Sequence, residues 1–236
     1  METLWTGIIV FGCAVLLCYS LVPSAGLKYL WKHNSRKRLR EGRTDKRLYL
    51  TFDDGPSREY TGRLLCLLKQ YRIKASFFVV AEFAEENPDL IEWMKEEGHL
   101  VGIHSVQHKN ALFRSRRFVR RDFRRSIETM EGMGIKVHYY RPPWGHLNLW
   151  TLFFIRRLGL RLILWDVMAE DWSAMETAGT IREKLIRRVF PGAVICLHDG
   201  RGAAGAPGRT IEALGESLPL LISQGYSFER MDAYEY

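Results

Sequence analysis

Seven short apolar, β-rich runs, most of them separated by stretches with helical spacing, constrain this chain more than any other feature. The runs lie at 48–52 (LYLTF), 75–80 (ASFFVV), 99–103 (HLVGI), 137–140 (VHYY), 161–165 (RLILW), 193–197 (AVICL) and 226–229 (YSFE). Apolar residues recur with a helical period over 60–71, 88–98, 115–134, 180–189 and 210–225. Strand then helix, repeated, implies parallel pairing, because each helix returns the chain to the starting edge of the sheet. Seven strands in so short a stretch suit an α/β fold of the deformed (β/α)7–8 barrel type, since a full eightfold barrel runs to about 250 residues.

Five of the runs end in polar clusters. Asp53 and Asp54 follow LYLTF in "LTFDDGP"; His104 and His108 follow HLVGI in "GIHSVQH"; Arg141 opens "RPPWG". Trp165 and Asp166 begin "WDVMAEDW", and His198 and Asp199 stand in "LHDG". Alone, Asp-Gly reads as a turn. Together, the clusters meet on the one barrel face onto which all C-terminal strand ends open, where active sites of this fold lie.

Two imidazoles four residues apart, with one carboxylate, make an open metal site that leaves a position for water. The H-x-x-x-H spacing is weak by itself, and Ser105 excludes the zinc-protease helix motif, which needs Glu there. Past a strand end the side-chain alternation relaxes, so neighbouring aspartates can reach one site in different roles. One binds a divalent cation, which offsets the repulsion between the pair, and the other takes a proton from the water that the ion acidifies. His198, on the opposite side, is available to protonate a leaving amine. The chemistry indicated is metal-assisted hydrolysis of an acyl bond.

In their order, "TFDDGP", "HSVQH", "RPPWG", "WDVMAEDW" and "LHDG" resemble the five motifs of the polysaccharide deacetylases, the NodB-homology domain of carbohydrate esterase family four, over about residues 47–236. The resemblance implies removal of N-acetyl groups from amino sugars of an envelope polysaccharide, peptidoglycan or a chitin-like glycan. It implies Asp53 as general base, Asp54, His104 and His108 as metal ligands, Arg141 as the holder of the base and His198 as general acid. Zn2+ is the usual ion, and the donor set also suits Co2+ or Mn2+. Pro142 and Trp144 fall beside the substrate, Trp144 standing where the family often has a Tyr whose N–H helps bind the oxyanion. Leu197 matches a residue lining the acetyl pocket, and Trp172 an aromatic wall of the groove. One position departs: Met168 replaces an Asp that commonly tunes the acid. Either Asp166 or Asp171 takes over, or His198 works with a less perturbed pKa. An inactive glycan-binding protein is the competing class, with Met168 the only feature in its favour.

Residues 4–22 carry no charge, enough for one helical crossing of a bilayer. Glu2 stands where a signal peptide carries Lys or Arg, which favours an uncleaved anchor over cleavage near "PSAG". The expected organisation is a membrane anchor (or signal peptide) at 1–27, a basic juxtamembrane linker at 28–46 and a catalytic domain at 47–236. Of the formal net charge of +8, residues 1–47 hold +6, so the basicity faces lipid headgroups rather than nucleic acid. Expected partners are a glycan and membrane lipid, with no nucleic acid, for a monomer in the cell membrane. An envelope glycan requires the domain outside; the basic flank after residue 22 favours the cytoplasm, where a lipid-linked amino sugar would be the substrate. The outward orientation is preferred.

Cys13 and Cys18 lie in the anchor, and Cys66 and Cys196 in apolar runs that read as core, so no disulfide framework or zinc pair is indicated. "RSRRFVRRDFRR" (114–125) holds seven arginines and one aspartate beside an apolar face of Val119, Phe123, Ile127 and Met130, the pattern of a solvated outer helix. "DGRGAAGAPGRT" (199–210) reads as a mobile loop, and His146 as a residue of the surface or one just behind the site.

Overall fold

Alternation along β1 (Arg47–Asp53) decides which side chains face the future site. Leu48, Leu50 and Phe52 join one apolar cluster and Tyr49 another, so Thr51 and Asp53 share the side of Tyr49. A computed structural model of the chain describes residues 2–40 and 45–234. Among these, β1 is followed by β2 (Ser76–Val79), β3 (Leu100–Ile103), β4 (Tyr139–Tyr140), β5 (Arg161–Leu162), β6 (Val167–Met168), β7 (Val194–His198) and β8 (Ser227–Glu229). Every pairing is parallel. The order is β5-β4-β3-β2-β1-β7-β6, with β8 attached to β1.

Helices Thr61–Gln70, Pro88–Glu96, Arg116–Gly132, Leu149–Arg157, Ala178–Arg188 and Ala206–Ser223 accompany the strands. Their starts are chemically marked: Ser115 accepts from the Phe118 N–H, and Asn148 with Thr151 and Thr177 with Thr180 form capping boxes. The larger cluster joins helix faces to Leu50, Phe52, Phe77 and Ile103; the smaller one, with Tyr49, Phe78, Tyr139 and Val194, fills the inside of the curl.

β5 and β6 lie at opposite edges of the sheet, yet only residues 163–166 join them. Such a connection spans at most about 17 Å, so the sheet must curl until its edges nearly meet. The seam is then closed by chain rather than by a ladder: Ile163 donates to the Tyr140 carbonyl and Asp166 to the Val194 carbonyl, each at 2.9 Å. The deformed barrel expected from the sequence is the fold observed. β6, only two residues long, escaped the sequence reading, as did helices Ala81–Glu86 and Leu149–Arg157.

Three expectations are corrected. The stretch 199–210 is not loop throughout, because a helix begins at Ala206 with Pro207 in its first turn. Cys66 is exposed, since it falls off the Leu64–Leu65–Leu68 stripe that packs inward. The basic segment is no linker: a helical N-terminus runs as Glu2–Leu16, a π-turn Leu17–Leu21 and Val22–Arg40. Its residues 24, 28, 31 and 35 form a stripe at helical spacing that docks on the domain. Ser24 exchanges hydrogen bonds with the Leu147 backbone, Lys28 reaches the Trp144 carbonyl, Trp31 Nε1 donates to Asp166 at 2.8 Å and Ser35 bonds the same carboxylate. The apolar part stands clear, with Ile8, Ile9, Val10 and Phe11 exposed, and it is long and apolar enough to cross a membrane. Residues 41–44 of the expected linker, Met1 and residues 235–236 lie outside the described residues.

Candidate active site

Asp53 is the last residue of β1, and its inward parity aims it into a cleft of about 430 Å³ at the C-terminal strand ends. Asp54 reaches the same cleft because its φ of 71° turns the chain left-handed and breaks the alternation. Both loops around the pair need glycine. A Cβ on Gly55 would stand 2.2 Å from the Asp199 carboxylate, and one on Gly200 2.2 Å from the Asp54 carbonyl. The "DDGP" and "HDG" turns are thereby packed backbone against carboxylate.

Asp53 is saturated. Arg141, fully buried, donates through one Nη1 to Asp53 Oδ1 and to Thr51 Oγ1, both at 2.7 Å, and through Nη2 to the Leu164 carbonyl at 3.0 Å. Its guanidinium lies over the Phe78 ring at 4.3 Å. The second Asp53 oxygen faces the Cys196 thiol at 3.4 Å. Burial alone would raise the Asp53 pKa, but the charge of Arg141, then of His104 and His198, holds it below the usual carboxylate range.

Asp54 is the opposite case. His108 Nε2 is 3.1 Å and His104 Nε2 3.5 Å from Asp54 Oδ1, yet that oxygen has no hydrogen-bond partner, nor has His108 Nδ1. Burial raises the Asp54 carboxyl, and burial with the neighbouring His104 pushes His108 down to about 3, leaving it neutral. His104 Nδ1 lies 2.7 Å from the Arg141 carbonyl. A carbonyl only accepts, so Nδ1 carries the proton and Nε2 presents its lone pair. Ligand atoms from Asp54, His104 and His108 lie within 4.8 Å of one another. Buried acceptors that converge without a shared proton fit a divalent cation. The loop between the histidines is held by Asp122, which accepts from Ser105 Oγ at 3.0 Å and the Val106 N–H at 3.1 Å while Ser105 and His108 adopt positive φ.

Across the cleft His198 ends β7. Asp171 takes its backbone N–H at 2.8 Å and its Nδ1 at 2.9 Å, and Thr210 donates to the same carboxylate at 2.9 Å. Burial would lower the His198 pKa; Asp171, by charge and hydrogen bond, and then Asp53 and Asp54 lift it to about 9. Asp199 is buried beneath, accepting from Thr61 at 2.6 Å.

Trp144, half exposed with φ 55°, lies tilted at 53° against His108 with 4.2 Å between ring centroids, and Trp172 stands at the same cleft. Pro142 and Pro143, both buried, lead into the turn that carries Trp144. Met168, Trp165 and Arg201 also line the cleft. Two expected site residues lie elsewhere. Leu197 joins the outer apolar cluster, and Cys196, which shares the parity of His198, lines the cleft in its place. Asp166 does not approach His198: its oxygens serve Trp31, Ser35 and the Val194 N–H, so Asp171 is the carboxylate on the histidine. His146 sits aside from the cleft, bonded to Asn110. Thr51, Asp122 and Thr210 went unread. Only Asp122, a single acid among seven arginines, carried a signal in the sequence.

A family model described as polysaccharide deacetylase matches residues 40–163, just over half of the chain. The peptidoglycan-N-acetylglucosamine deacetylase PgdA of Listeria monocytogenes is 32% identical over 90% of this chain, which spans only 44% of that relative's length. The peptidoglycan-N-acetylmuramic acid deacetylase PdaA of Bacillus subtilis is 32% identical over 80% of this chain and 71% of its own. Among solved structures, the Bc1960 peptidoglycan N-acetylglucosamine deacetylase superposes with a TM-score of 0.76 at 29% identity, covering 81% of this chain and 88% of that one. A model spanning most of the motifs, relatives of this identity and the shared curled sheet lead to one statement: the chain belongs to the polysaccharide deacetylase family.

Proposed function

We propose that this chain is a metal-dependent hydrolase that removes the N-acetyl group from an amino sugar of an envelope glycan, with peptidoglycan the favoured substrate. The observation that carries the reading is the division of labour between two adjacent carboxylates: Asp53 with a partner on each oxygen, Asp54 with Oδ1 orphaned between two imidazoles. Asp54, His104 and His108 would hold the cation, Zn2+ being the first choice for two imidazoles and a carboxylate. Such an ion polarises an acyl carbonyl and makes water acidic enough to attack at neutral pH.

The chain's own groups supply the rest. Asp53, kept ionised and oriented by Arg141, accepts the proton that the attacking water loses. The Trp144 N–H, presented by its left-handed turn, faces the oxyanion as charge develops. His198, kept protonated by Asp171, gives its proton to the amine as the C–N bond breaks, leaving acetate and a free amino sugar. Acid and base thus rest in the states that neutral-pH hydrolysis requires. Trp144 and Trp172 flank the sugar, while Cys196 and Met168 give the acyl group an uncharged wall.

The same reading assigns residues 1–27 to an uncleaved anchor and 47–236 to the catalytic domain, the basic segment between them serving as a docked helix. Cleavage at "PSAG" would cut through that helix at Ser24, which is buried and bonded to Leu147, and this supports retention of the anchor. We place the domain outside the cell. The basic flank favours the cytoplasmic face instead, and a reporter fused after Tyr236 separates the two.

Acetate release by the full chain in detergent from chitooligosaccharide or peptidoglycan fragments tests the function. The expected result is turnover abolished by a chelator and restored by Zn2+. Glycan retention without chelator-sensitive acetate would instead identify a binding protein.

A further inference from the structure

Three segments that touch one another carry cations and no carboxylate. After Glu2 the N-terminal helix has no acid through Arg40; residues 109–121 contain Lys109, Arg114, Arg116, Arg117, Arg120 and Arg121; residues 141–165 contain Arg141, Arg156, Arg157 and Arg161. The last two segments hold ten basic residues and no acid, nine of the ten exposed and only Arg141 buried, whereas the rest of the chain from Leu48 holds sixteen basic and twenty-four acidic. The near neutrality of the domain therefore hides a strongly polarised surface.

The polarised face adjoins the apolar helix. Tyr19 O–H donates to the Arg114 carbonyl, Ser24 bonds Leu147, and Asn148 Nδ2 ties the two segments by donating to the Ala111 carbonyl at 2.6 Å and the Arg114 carbonyl at 3.0 Å. Beside these bonds three large apolar side chains stand in the open: Phe113 at 62%, Leu149 at 50% and Phe153 at 41% exposure. Arg116 lies over the Trp150 and Phe153 rings at 5.0 and 6.0 Å. Apolar tips among arginines, level with the end of an uncharged span, match the chemistry of an anionic bilayer interface.

We propose that this face, with Phe113, Leu149 and Phe153 set among Arg114, Arg116 and Arg117, docks on an anionic bilayer and holds the cleft at its surface, so that the envelope glycan is met as an N-acetylated saccharide still carried on lipid. The second half rests on the deacetylase reading above. Reach supports it. Lys28, which grips the Trp144 carbonyl, lies six residues past the uncharged span, about 9 Å along a helix. The headgroup layer is itself about 5–8 Å thick on each side, so the cleft rim stands at its outer limit. The docked stripe of Ser24, Lys28, Trp31 and Ser35 removes the slack that a flexible linker would give.

The test uses the full chain in nanodiscs of phosphatidylcholine alone or with phosphatidylglycerol. Backbone hydrogen exchange over 109–117 and 146–153 should slow in the anionic discs, and Phe113→Glu with Phe153→Glu should abolish the slowing. Each neutralised arginine among Arg114→Gln, Arg116→Gln and Arg117→Gln should weaken the docking, about fivefold apiece, and high salt should mimic them. With the double Glu variant, turnover of a lipid-linked chitobiose in the same disc should fall about tenfold while that of soluble chitotetraose stays level, because only effective concentration has changed. Equal exchange in both discs, or protection that follows protein concentration rather than lipid, overturns the docking. Unequal exchange with equal losses on both substrates overturns the substrate assignment. No acetate from either substrate defeats the deacetylase reading itself, and the docking is then decided by exchange alone.

Discussion

The two carboxylates of the cleft differ in how completely their oxygens are satisfied. At Asp53, Arg141 and Cys196 each take one oxygen, Thr51 and the Leu164 carbonyl hold Arg141 in place, and the carboxylate stays ionised. At Asp54, Oδ1 is buried without a partner between the Nε2 atoms of His108 and His104. A buried polar group left unpaired costs about 1–3 kcal/mol, and a fold that bears such a cost where two imidazoles converge is arranged for something to fill it. Paired oxygens mark the carboxylate that handles protons; an orphaned oxygen between imidazoles marks the slot for an ion.

Removing the ion side should have the largest effect. Asp54→Ala should lose bound metal in elemental analysis and lower turnover about 10³-fold, as loss of a Lewis acid worth several kcal/mol implies. Retained metal with retained turnover would erase the distinction drawn here.

Breaking the saturated side should instead strike the fold. Arg141→Met leaves Asp53 buried and unpaired, which costs about 3–5 kcal/mol, so thermal unfolding should come earlier by about 10 °C for a domain of this size. Its backbone carbonyl still fixes His104, so ion binding by the folded fraction should persist. Loss of binding with unchanged stability would reverse the two roles.

The acid sharpens the contrast across the cleft. Asp171→Asn should cut turnover about 10²-fold, at the low end for a general acid–base group, and move the alkaline limb of the pH–rate profile downward. The sign follows from His198, raised from 6.5 to about 9: its proton is fully held below 6.5 and lost as pH climbs through about 9. The same group stabilises the folded state below 6.5, and that contribution fades over the same rise. An unmoved limb would release His198 from Asp171. Smallest should be Asp122→Asn, which loosens the Ser105–Val106 turn between the two histidines. Metal affinity by calorimetry should weaken about tenfold, the lower range for a group that supports ligands.

Much of this was legible in the sequence because it is local. Parity along β1 delivers Asp53, five strand ends deliver the polar clusters, and the helices that were read announce themselves by apolar period. What was missed depends on distant chain. Asp166 looked like a site residue until Trp31 and Ser35, more than 130 positions away, proved to occupy it. The basic segment looked like a linker because nothing in its composition shows that four residues of one face meet a partner. β6 was hidden by its length: two residues carry no readable alternation. The Leu197 error was avoidable, since Cys196 and His198 share a parity and Leu197 does not.

The seam at 163–166 bears on how this fold can change. Strand ladders resist widening, because spreading them breaks several hydrogen bonds together. Here one edge of the cleft is only a tether, and residues inserted into it would let the wall yield with every ladder intact. Bulkier acyl groups are best sought by lengthening that tether. Since Asp166 within it is bolted to the helix leading from the membrane, a tilt of that helix would be transmitted to the gape of the cleft.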